Sequence, residues 1–285
     1  MSFRLAANQD IPVFRQHWRE VVHSFGGADF VVGIVRRAHE VILDVYGRFH
    51  HNEQQKEDGS PVSEADLAAA ALIEAELATT RIPVVCEESV TGERPQGPLF
   101  WLVDPLDGTK EFLARNGEFT VNVALVAQEG PVLGVIGVPV TGEVYVAVKG
   151  GGAFKLEGAV ASPLFNRRTG RDLVAAVSRS HGSDLGDAWL ESFGVGSKIR
   201  CGSAIKFCRV AEGKADLYVR FGRTMEWDTA AGHCILEECG CKLVVADTGE
   251  PLTYGKSGFA NPGFIAARAD LNVPGEHRGS RVGNL

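Results

Sequence analysis

The stretch WLVDPLDGTKEF, residues 101–112, places two aspartates, a proline and a glycine directly behind an apolar run. The run predicts a buried strand that ends at Asp104. Because Pro105 fixes φ and cannot continue a strand ladder, we expect a turn there that brings Asp104 and Asp107 to one pocket. This motif alone leaves two interpretations open, a cation site or an Asx-type turn that caps a helix.

The residues after the second aspartate suit an anion. Gly108 allows a close backbone approach, and a helix that begins at Thr109 and Lys110 has free N–H groups at its start. Mg²⁺ takes hard oxygen ligands, usually one or two carboxylates together with water and substrate phosphate. Carboxylates for a cation beside amides for a phosphate therefore make chemical sense together.

Further acids lie where strands end and helices begin. Glu87 and Glu88 follow the apolar run VVC, Asp228 lies ahead of a small-residue helix in MEWDTAAGH, and Asp58 and Asp66 surround a proline turn in KEDGSPVSEAD. Each acid alone is more often a helix cap or a surface group. Together they predict a carboxylate site.

Composition excludes several other classes of protein. The chain has 285 residues and a net charge of −7, so it has no overall basic field for nucleic acid. Its six cysteines form no CxxC, which argues against a zinc or thioredoxin-like site and favours buried free thiols. No apolar run approaches the roughly 20 residues that span a bilayer, and no signal-peptide core is present. These features predict a cytoplasmic protein, with a peripheral position at the inner membrane left open.

Periodicity predicts two helices in the first half and two lobes overall. Apolar residues at helical spacing predict helices over 28–49 and 63–80, and residues 119–154 alternate and turn like an antiparallel meander. Beyond residue 172, short strands alternate with helices as in α/β layers. The predicted divisions are an N-terminal extension 1–27, an α+β metal-binding lobe 28–165, an α/β substrate-specificity lobe 166–270 and a flexible tail 271–285.

Five motifs in this order, KEDGSPVSEAD, EES, WLVDPLDGTKEF, GSAIKFCRVAEGKADLYVRFG and EWDTAAGH, carry a resemblance over roughly residues 28–268. The chain resembles the lithium-sensitive, magnesium-dependent phosphatases that include inositol monophosphatase and fructose 1,6-bisphosphatase. DPLDGTKEF is closer to the 3′(2′),5′-bisphosphate nucleotidase branch, of the CysQ type, than to the DPIDGTTNF of inositol monophosphatases. The resemblance implies an α/β fold, a layered α/β/α/β/α sandwich with an α+β N-terminal lobe.

The resemblance also implies metal ligands. Glu87, Asp104 and the Leu106 carbonyl would hold one Mg²⁺, and Asp104, Asp107 and Asp228 would hold a second. A third, weaker Mg²⁺ would lie near Glu87. Two such ions can activate water on one side of a phosphate and stabilise the leaving oxygen on the other.

Catalytic and supporting roles follow from the same resemblance. Asp58 and Thr109 match the pair that orients and deprotonates the attacking water, and the Gly108 and Thr109 amides would cradle the scissile phosphate. Asp66 and Glu88 would orient these groups without contacting the metal or the substrate themselves.

The substrate residues implied by the resemblance lie in the second half of the chain. His181, Ser203, Lys206 and Arg220 match positions that contact a nucleotide and its non-reacting phosphate. Without the resemblance, Lys206 reads as a solvated helix lysine and Arg220 as a strand-edge charge. A second phosphate needs such cations, whereas an inositol monophosphate does not.

The implied reaction removes the 3′-phosphate of adenosine 3′,5′-bisphosphate to give AMP, with the 5′-phosphosulfate analogue as a further substrate. Two alternatives stay open: an inositol-1-phosphatase or broader sugar phosphatase, and a nucleotide- or metal-sensing regulator without turnover. Partners are limited to a small-molecule nucleotide bisphosphate and, as among relatives, a second copy in a homodimer.

Overall fold

The computed structural model describes most of the chain between residues 17 and 273. The described ranges are 17–48, 54–55, 61–62, 64–167, 172–180 and 184–273. The helices in these ranges are α1 (His17–Ser24), α2 (Gly27–Gly47), α3 (Glu64–Ala78), α4 (Thr109–Leu113), α5 (Asp184–Ser192), α6 (Ile205–Ala211) and α7 (Glu226–Glu238). The two long predicted helices are confirmed as α2 and α3. Asp58 and His181 lie outside the described residues.

The first half of the chain forms a seven-stranded sheet in sequence order. Its strands are β3 (Val84–Cys86), β4 (Phe100–Asp107), β5 (Thr120–Ala127), β6 (Gly130–Val138), β7 (Glu143–Val148), β8 (Gly152–Glu157) and β9 (Val160–Pro163). Only β3 and β4 are parallel, and the later strands pair antiparallel, which confirms the predicted meander. A small antiparallel pair, β1 (Gln54–Gln55) and β2 (Pro61–Val62), precedes this sheet.

The second half forms a five-stranded mixed sheet in the order β11-β10-β12-β16-β14. Its strands are β10 (Leu173–Ser178), β11 (Val195–Cys201), β12 (Leu217–Arg220), β14 (Cys241–Val245) and β16 (Phe264–Arg268). Parallel pairing joins β10 to β11 and β12, and antiparallel pairing joins β16 to β12 and β14. A short pair, β13 (Thr224–Met225) and β15 (Ala260–Asn261), lies apart from it.

The helices and sheets stack in five layers. Helices α2 and α3 cover one face of the seven-stranded sheet, α6 and α7 fill the space between the two sheets, and α5 packs on the outer side of the second sheet. This is the predicted α/β/α/β/α sandwich. The predicted lobe boundary at residue 165 falls between β9 and β10 and stays a prediction.

Burial on both faces explains why β4 and β5 read as continuous apolar runs. Along β4, Trp101 and Val103 pack with the α2 and α3 core, whereas Phe100 and Leu102 pack with the middle layer. The alternation of side chains is present, but both faces of the strand are apolar. The site therefore lies at the end of a strand that the core holds from two sides.

Packing continues past residue 270, where the tail was expected to begin. The Lys242 ammonium group donates to the Leu271 carbonyl at 2.6 Å, and Val273 is buried. Residues 274–285 lie outside the described residues. In the described ranges no helix is long and apolar enough to cross a bilayer.

Two glycines in β6 let helices approach the first sheet from opposite sides. A Cβ on Gly134 would meet Ala231 and Cys234 of α7, and a Cβ on Gly137 would fall inside His39 and Val35 of α2. We expect Gly137→Val to destabilise the protein by about 3 kcal/mol or to prevent folding, since overpacking displaces a rigid helix. Urea unfolding measures this effect. An unchanged midpoint would contradict the close approach of α2 to β6.

His39 predicts a pH dependence of stability. Burial, aided by the positive charge of Arg36, lowers the pKa of His39 to about 4, and Nε2 has no hydrogen-bond partner among the described residues. The unfolded chain takes up this proton near pH 6.5 whereas the folded protein does not. The contribution of neutral His39 to the free energy of unfolding is therefore fully present above pH 6.5. It is lost as the pH drops from there to about 4, and the total loss is roughly 3 kcal/mol.

The measurement is the free energy of unfolding at pH 7 and at pH 5 for wild type, His39→Leu and His23→Gln. His23 is an exposed histidine on the neighbouring helix and serves as the control. His39→Leu should reduce the pH dependence, and His23→Gln should leave it unchanged. Identical slopes for the wild type and His39→Leu would refute this role.

Candidate metal and phosphate site

A cavity of about 300 Å³ lies at the ends of β4 and β12 and beside the first turn of α7. Acids and bases share its wall. The acidic side chains are Glu87, Asp104, Asp107, Glu111 and Asp228, and the basic ones are Lys110, Lys206, Arg220 and Arg223. The cavity therefore has groups for a cation and groups for an anion.

Glu87, Asp104 and Asp228 form a compact acidic cluster. Each offers a carboxylate oxygen, and these oxygens all lie within 4.8 Å of one another. Burial raises the pKa of Asp104, and repulsion from Glu87 raises it further. Burial likewise raises the pKa of Asp228, with repulsion from Asp107 and Glu87 adding to it. Such a cluster needs protons or a cation to be stable.

The topology brings these acids together. Because β3 and β4 are parallel neighbours, their carboxyl ends meet at one edge, and Glu87 and Asp104 lie there. Asp228 arrives from the first turn of α7, where its Oδ2 accepts the Met225 N–H at 2.8 Å. The structure thus brings these three acids together, and their roles as metal ligands stay a prediction.

Strand β4 does not end at Asp104 as predicted. It continues to Asp107, with its pairing to β5 shifted between Asp104 and Asp107 so that β4 has one residue more than its partner. Such a bulge bends a strand and re-aims its side chains, and Pro105, which has no N–H to pair, lies within it. The bulge allows both carboxylates to line the same cavity.

Asp107 is held differently from the three clustered acids. Among the described residues, the hydrogen bonds of its carboxylate all end on Oδ2, which accepts from the Ala204 N–H at 2.6 Å and lies 3.4 Å from the Thr120 hydroxyl and 3.5 Å from the Asn122 amide. Burial raises the pKa of Asp107, although Lys206 and the Ala204 N–H oppose the shift. Oδ1 is the oxygen that these bonds leave for a ligand.

Gly108 and Thr109 lie at the turn from β4 into α4, and both line the cavity. Gly108 has φ +94°, and a Cβ there would overlap the Ser203 hydroxyl, so only glycine fits. The Thr109 hydroxyl lies 3.5 Å from an oxygen of the buried Asp66. Glu88 is partly buried beside Glu87 but does not line the cavity.

Lys206 and Arg220 reach the cavity from the second half of the chain. Lys206 is only 5% exposed, and its ammonium group donates to the Ser203 carbonyl and lies 5.3 Å from the centre of the Tyr218 ring. The reading of Lys206 as a solvated lysine is therefore wrong. Burial lowers its pKa, and the negative charge of Asp107 opposes that shift. Arg220 ends β12 and is partly buried.

Ser203 lines the cavity but turns its hydroxyl to the backbone. Its Oγ lies 2.7 Å from the Asp107 carbonyl and 2.9 Å from the Glu118 carbonyl, and its one proton can serve either oxygen. The residue also has φ +49°, a left-handed conformation that is uncommon outside glycine. Ser203 thus fastens the start of α6 to the end of β4.

Comparison with known proteins shows which family has this fold. The model of the inositol monophosphatase family matches residues 27–271. The chain belongs to the inositol monophosphatase family. As a member of this family it is a metal-dependent phosphatase, and the acidic cluster offers the oxygen ligands that such chemistry requires.

Relatives of this family member are similar over nearly their whole lengths. The 3′(2′),5′-bisphosphate nucleotidase CysQ of Shigella flexneri is 44% identical over 243 residues, which cover 83% of this chain and 97% of that protein. The relative of the same name from Escherichia coli K12 is 43% identical over the same shares of each chain.

Solved structures show the same fold. CysQ from Bacteroides thetaiotaomicron, a bacterial member of the inositol monophosphatase family, has a TM-score of 0.76 at 39% identity and covers 85% of this chain and 96% of that one. The extragenic suppressor protein suhB of Bartonella henselae has a TM-score of 0.70 at 28% identity, over 85% and 93% of the two chains.

Sequence reasoning missed several residues that line the cavity of this phosphatase, namely Lys110, Glu111, Tyr218 and Arg223. Arg223 had a signal in the sequence, because it stands three residues after Arg220 in the same YVRFGR run. Glu111 had the weaker signal of lying one helical turn beyond Gly108. Tyr218 had none, since an aromatic residue in an apolar strand reads as core.

Proposed function

We propose that this phosphatase hydrolyses the 3′-phosphate of adenosine 3′,5′-bisphosphate to AMP and phosphate. The carrying observation is that Lys206, Arg220 and Arg223 line the same cavity as the acidic cluster. Carboxylates for a metal ion and cations for a phosphate within one cavity suit a ligand with a reacting and a non-reacting phosphate. Relatives at 43–44% identity bear the name of a bisphosphate nucleotidase, which supports the same substrate class.

We propose Mg²⁺ as the metal, because the cluster offers only hard carboxylate and carbonyl oxygens. Glu87, Asp104 and the Leu106 carbonyl would hold one ion, and Asp104, Asp107 and Asp228 a second, with a third near Glu87. Bound there, the ions would lower the pKa of water and neutralise developing phosphate charge. The raised pKa values of the buried carboxyls support this fit, since a cation removes the cost of ionising them.

The residues around the reacting phosphate have separable proposed roles. Gly108 and Thr109 would hold the scissile phosphate through backbone N–H groups at the start of α4. The Thr109 hydroxyl would accept the proton of the attacking water while its own proton passes to the carboxylate of Asp58, which would be the base. Asp66 would orient that hydroxyl, since an Asp66 oxygen lies 3.5 Å from it.

The far end of the cavity would hold the nucleoside and its 5′-phosphate. Arg220 would bind that phosphate, a role supported by its position at the end of β12 on the cavity wall and by the permanent positive charge of a guanidinium. Lys206 would contribute its charge from deeper in the cavity, and His181 and Ser203 complete the proposed contacts. A phosphosulfate in place of the 5′-phosphate would use the same groups, which makes the 5′-phosphosulfate analogue a second proposed substrate.

Phosphate release from adenosine 3′,5′-bisphosphate and from inositol 1-phosphate, measured side by side with Mg²⁺ and with EDTA, tests the proposal. We expect kcat/KM to favour the bisphosphate by about a hundredfold or more, because the second phosphate adds charge-assisted hydrogen bonds. EDTA should abolish both activities. Preference for the inositol ester would overturn the substrate, and binding of the nucleotide without turnover would indicate a regulatory protein.

A further inference from the structure

Glu118 and Arg179 form a two-pronged ion pair beside the cavity. The Arg179 Nε donates to one carboxylate oxygen of Glu118 at 2.6 Å, and its Nη2 donates to the other at 2.7 Å. Neither residue lines the cavity. Glu118 lies just before β5 of the first sheet, and Arg179 follows β10 of the second, so the pair joins the two sheets.

The pair also fixes the connection between β11 and α6. The Gly202 N–H donates to the Glu118 carboxylate at 2.9 Å, and the Arg179 guanidinium donates to the Arg200 carbonyl at 3.0 Å. A Cβ on Gly202 would collide with Glu111 and with Glu118 itself, so the backbone lies directly against these acids. The guanidinium and the Gly202 N–H outweigh the effect of burial and hold the pKa of Glu118 below its usual value.

From Gly202 the contacts lead straight to Asp107. Ser203 places its hydroxyl between the carbonyls of Asp107 and Glu118, and the Ala204 N–H donates to the Asp107 carboxylate. Two residues further along the chain, Lys206 extends into the cavity. The same short segment thus sets the orientation of an acid and the position of a cation.

We infer that Glu118 and Arg179 are positioning residues that fix where Lys206 lies relative to Asp107 in the cavity. The inference rests on the proposed function, because only a ligand with a second, non-reacting phosphate needs the acids and the cations of the cavity in register with each other. The Arg179 and Glu118 side chains are 44% and 23% exposed. Partly exposed pairs contribute little to stability, so the loss of this pair should show in substrate preference.

The test compares Glu118→Gln and Arg179→Met with the control Arg37→Met. Arg37 forms an equally two-pronged pair with Glu76 between α2 and α3, at similar exposures of 47% and 29%, remote from the cavity. We expect KM for adenosine 3′,5′-bisphosphate to rise about tenfold in both site variants. KM for inositol 1-phosphate should change less than twofold, and Tm should stay within about 2 °C of the control.

Three further results discriminate between explanations. The double variant should be no worse than either single variant, since both remove one interaction. Arg179→Lys keeps the positive charge but cannot form the two parallel hydrogen bonds of a guanidinium. Its KM for adenosine 3′,5′-bisphosphate should therefore rise less than that of Arg179→Met. Additive losses with a much larger effect at Arg179 would mean that Arg179 binds substrate itself, and equal losses on both substrates with a lower Tm would mean a purely structural pair. Either would overturn the inference.

Failure of the proposed function shows separately in the wild type. Preference of the wild type for inositol 1-phosphate overturns the proposed substrate, whereas the inference is decided by how the variants change the ratio of the two KM values. In the absence of any turnover, the same comparison uses the Kd of adenosine 3′,5′-bisphosphate from calorimetry. Equal Kd values in the wild type and both variants would then overturn the inference.

Discussion

Asp104→Asn is expected to lower phosphate release by a factor of about 10³ or more and, at the same time, to stabilise the metal-free protein. Carboxylate oxygens of Glu87, Asp104 and Asp228 lie within 4.8 Å of one another, and Asp104 is only 1% exposed, so its carboxyl group is costly to ionise when no cation is bound. The amide keeps the shape but removes a metal ligand and a repulsive charge. The measurements are turnover at saturating Mg²⁺ and the free energy of unfolding in EDTA at pH 8.

The sign of the stability change follows from the raised pKa. An acid whose pKa is higher in the folded than in the unfolded state holds its proton longer when folded, so metal-free stability falls as pH rises above the unfolded value near 4. Asp104→Asn should remove part of that fall, so the metal-free variant should be more stable than the metal-free wild type at pH 8. Added Mg²⁺ should raise the Tm of the wild type and leave that of the variant nearly unchanged.

Asp107→Asn is the matched comparison. Its carboxylate accepts the Ala204 N–H, and Lys206 lies near it, so both groups oppose the rise in pKa that burial causes. We expect the same loss of turnover but a smaller gain in metal-free stability than for Asp104→Asn, because less of the Asp107 charge is left uncompensated. Near-normal activity in either variant would refute the metal assignment, and equal changes in stability in both would refute the distinction between the two acids.

The strand-end acids could be predicted because parallel strands bring their carboxyl ends to one edge of a sheet. Glu87 and Asp104 follow short apolar runs that indicate buried strands, and a helix-start acid such as Asp228 can reach the same edge. The five-layer order was expected only from the resemblance. The residues alone indicated helices, a meander and α/β layers, because strand order depends on contacts between distant segments.

The bulge in β4 could not be predicted. A proline after a strand reads as a turn, and only the pairing with β5 shows that the strand resumes and includes Asp107. The environment of Lys206 was equally hidden, since a lysine at helical spacing gives no sign that Tyr218 and Asp107 enclose it. The local sequence pattern indicates whether a residue lies in a helix or a strand. The residues that surround its side chain come from distant parts of the chain, so the local pattern does not predict them.

Glu118 and Arg179 show the same limit more clearly. They stand 61 positions apart, in NGEF and SRSH segments that carry no pattern linking one to the other. In the sequence alone, each residue is interpreted as a surface charge, because most glutamates and arginines are exposed. Their role emerges only once Gly202 and Asp107 are seen on the same chain of hydrogen bonds.

Arg220→Met is expected to lower kcat/KM for adenosine 3′,5′-bisphosphate by about a hundredfold and for inositol 1-phosphate by less than threefold. Arg220 ends β12 on the cavity wall, where its guanidinium can bind a second phosphate through two parallel hydrogen bonds. A monophosphate has no group for it. Since the acidic cluster is untouched, kcat for the inositol ester should remain, and the ratio of the two kcat/KM values is the measurement.

Arg223→Met is the control for Arg220→Met, because it removes a positive charge from the same cavity at an exposed position. Arg223 lines the same cavity but is exposed, so solvent screens its charge and its removal should cost the bisphosphate only about fivefold. A larger effect at Arg223 than at Arg220 would move the second phosphate to the outer rim of the cavity. Equal losses on both substrates at Arg220 would show that this arginine supports the reacting phosphate instead, and the case for a bisphosphate substrate would lose its main structural support.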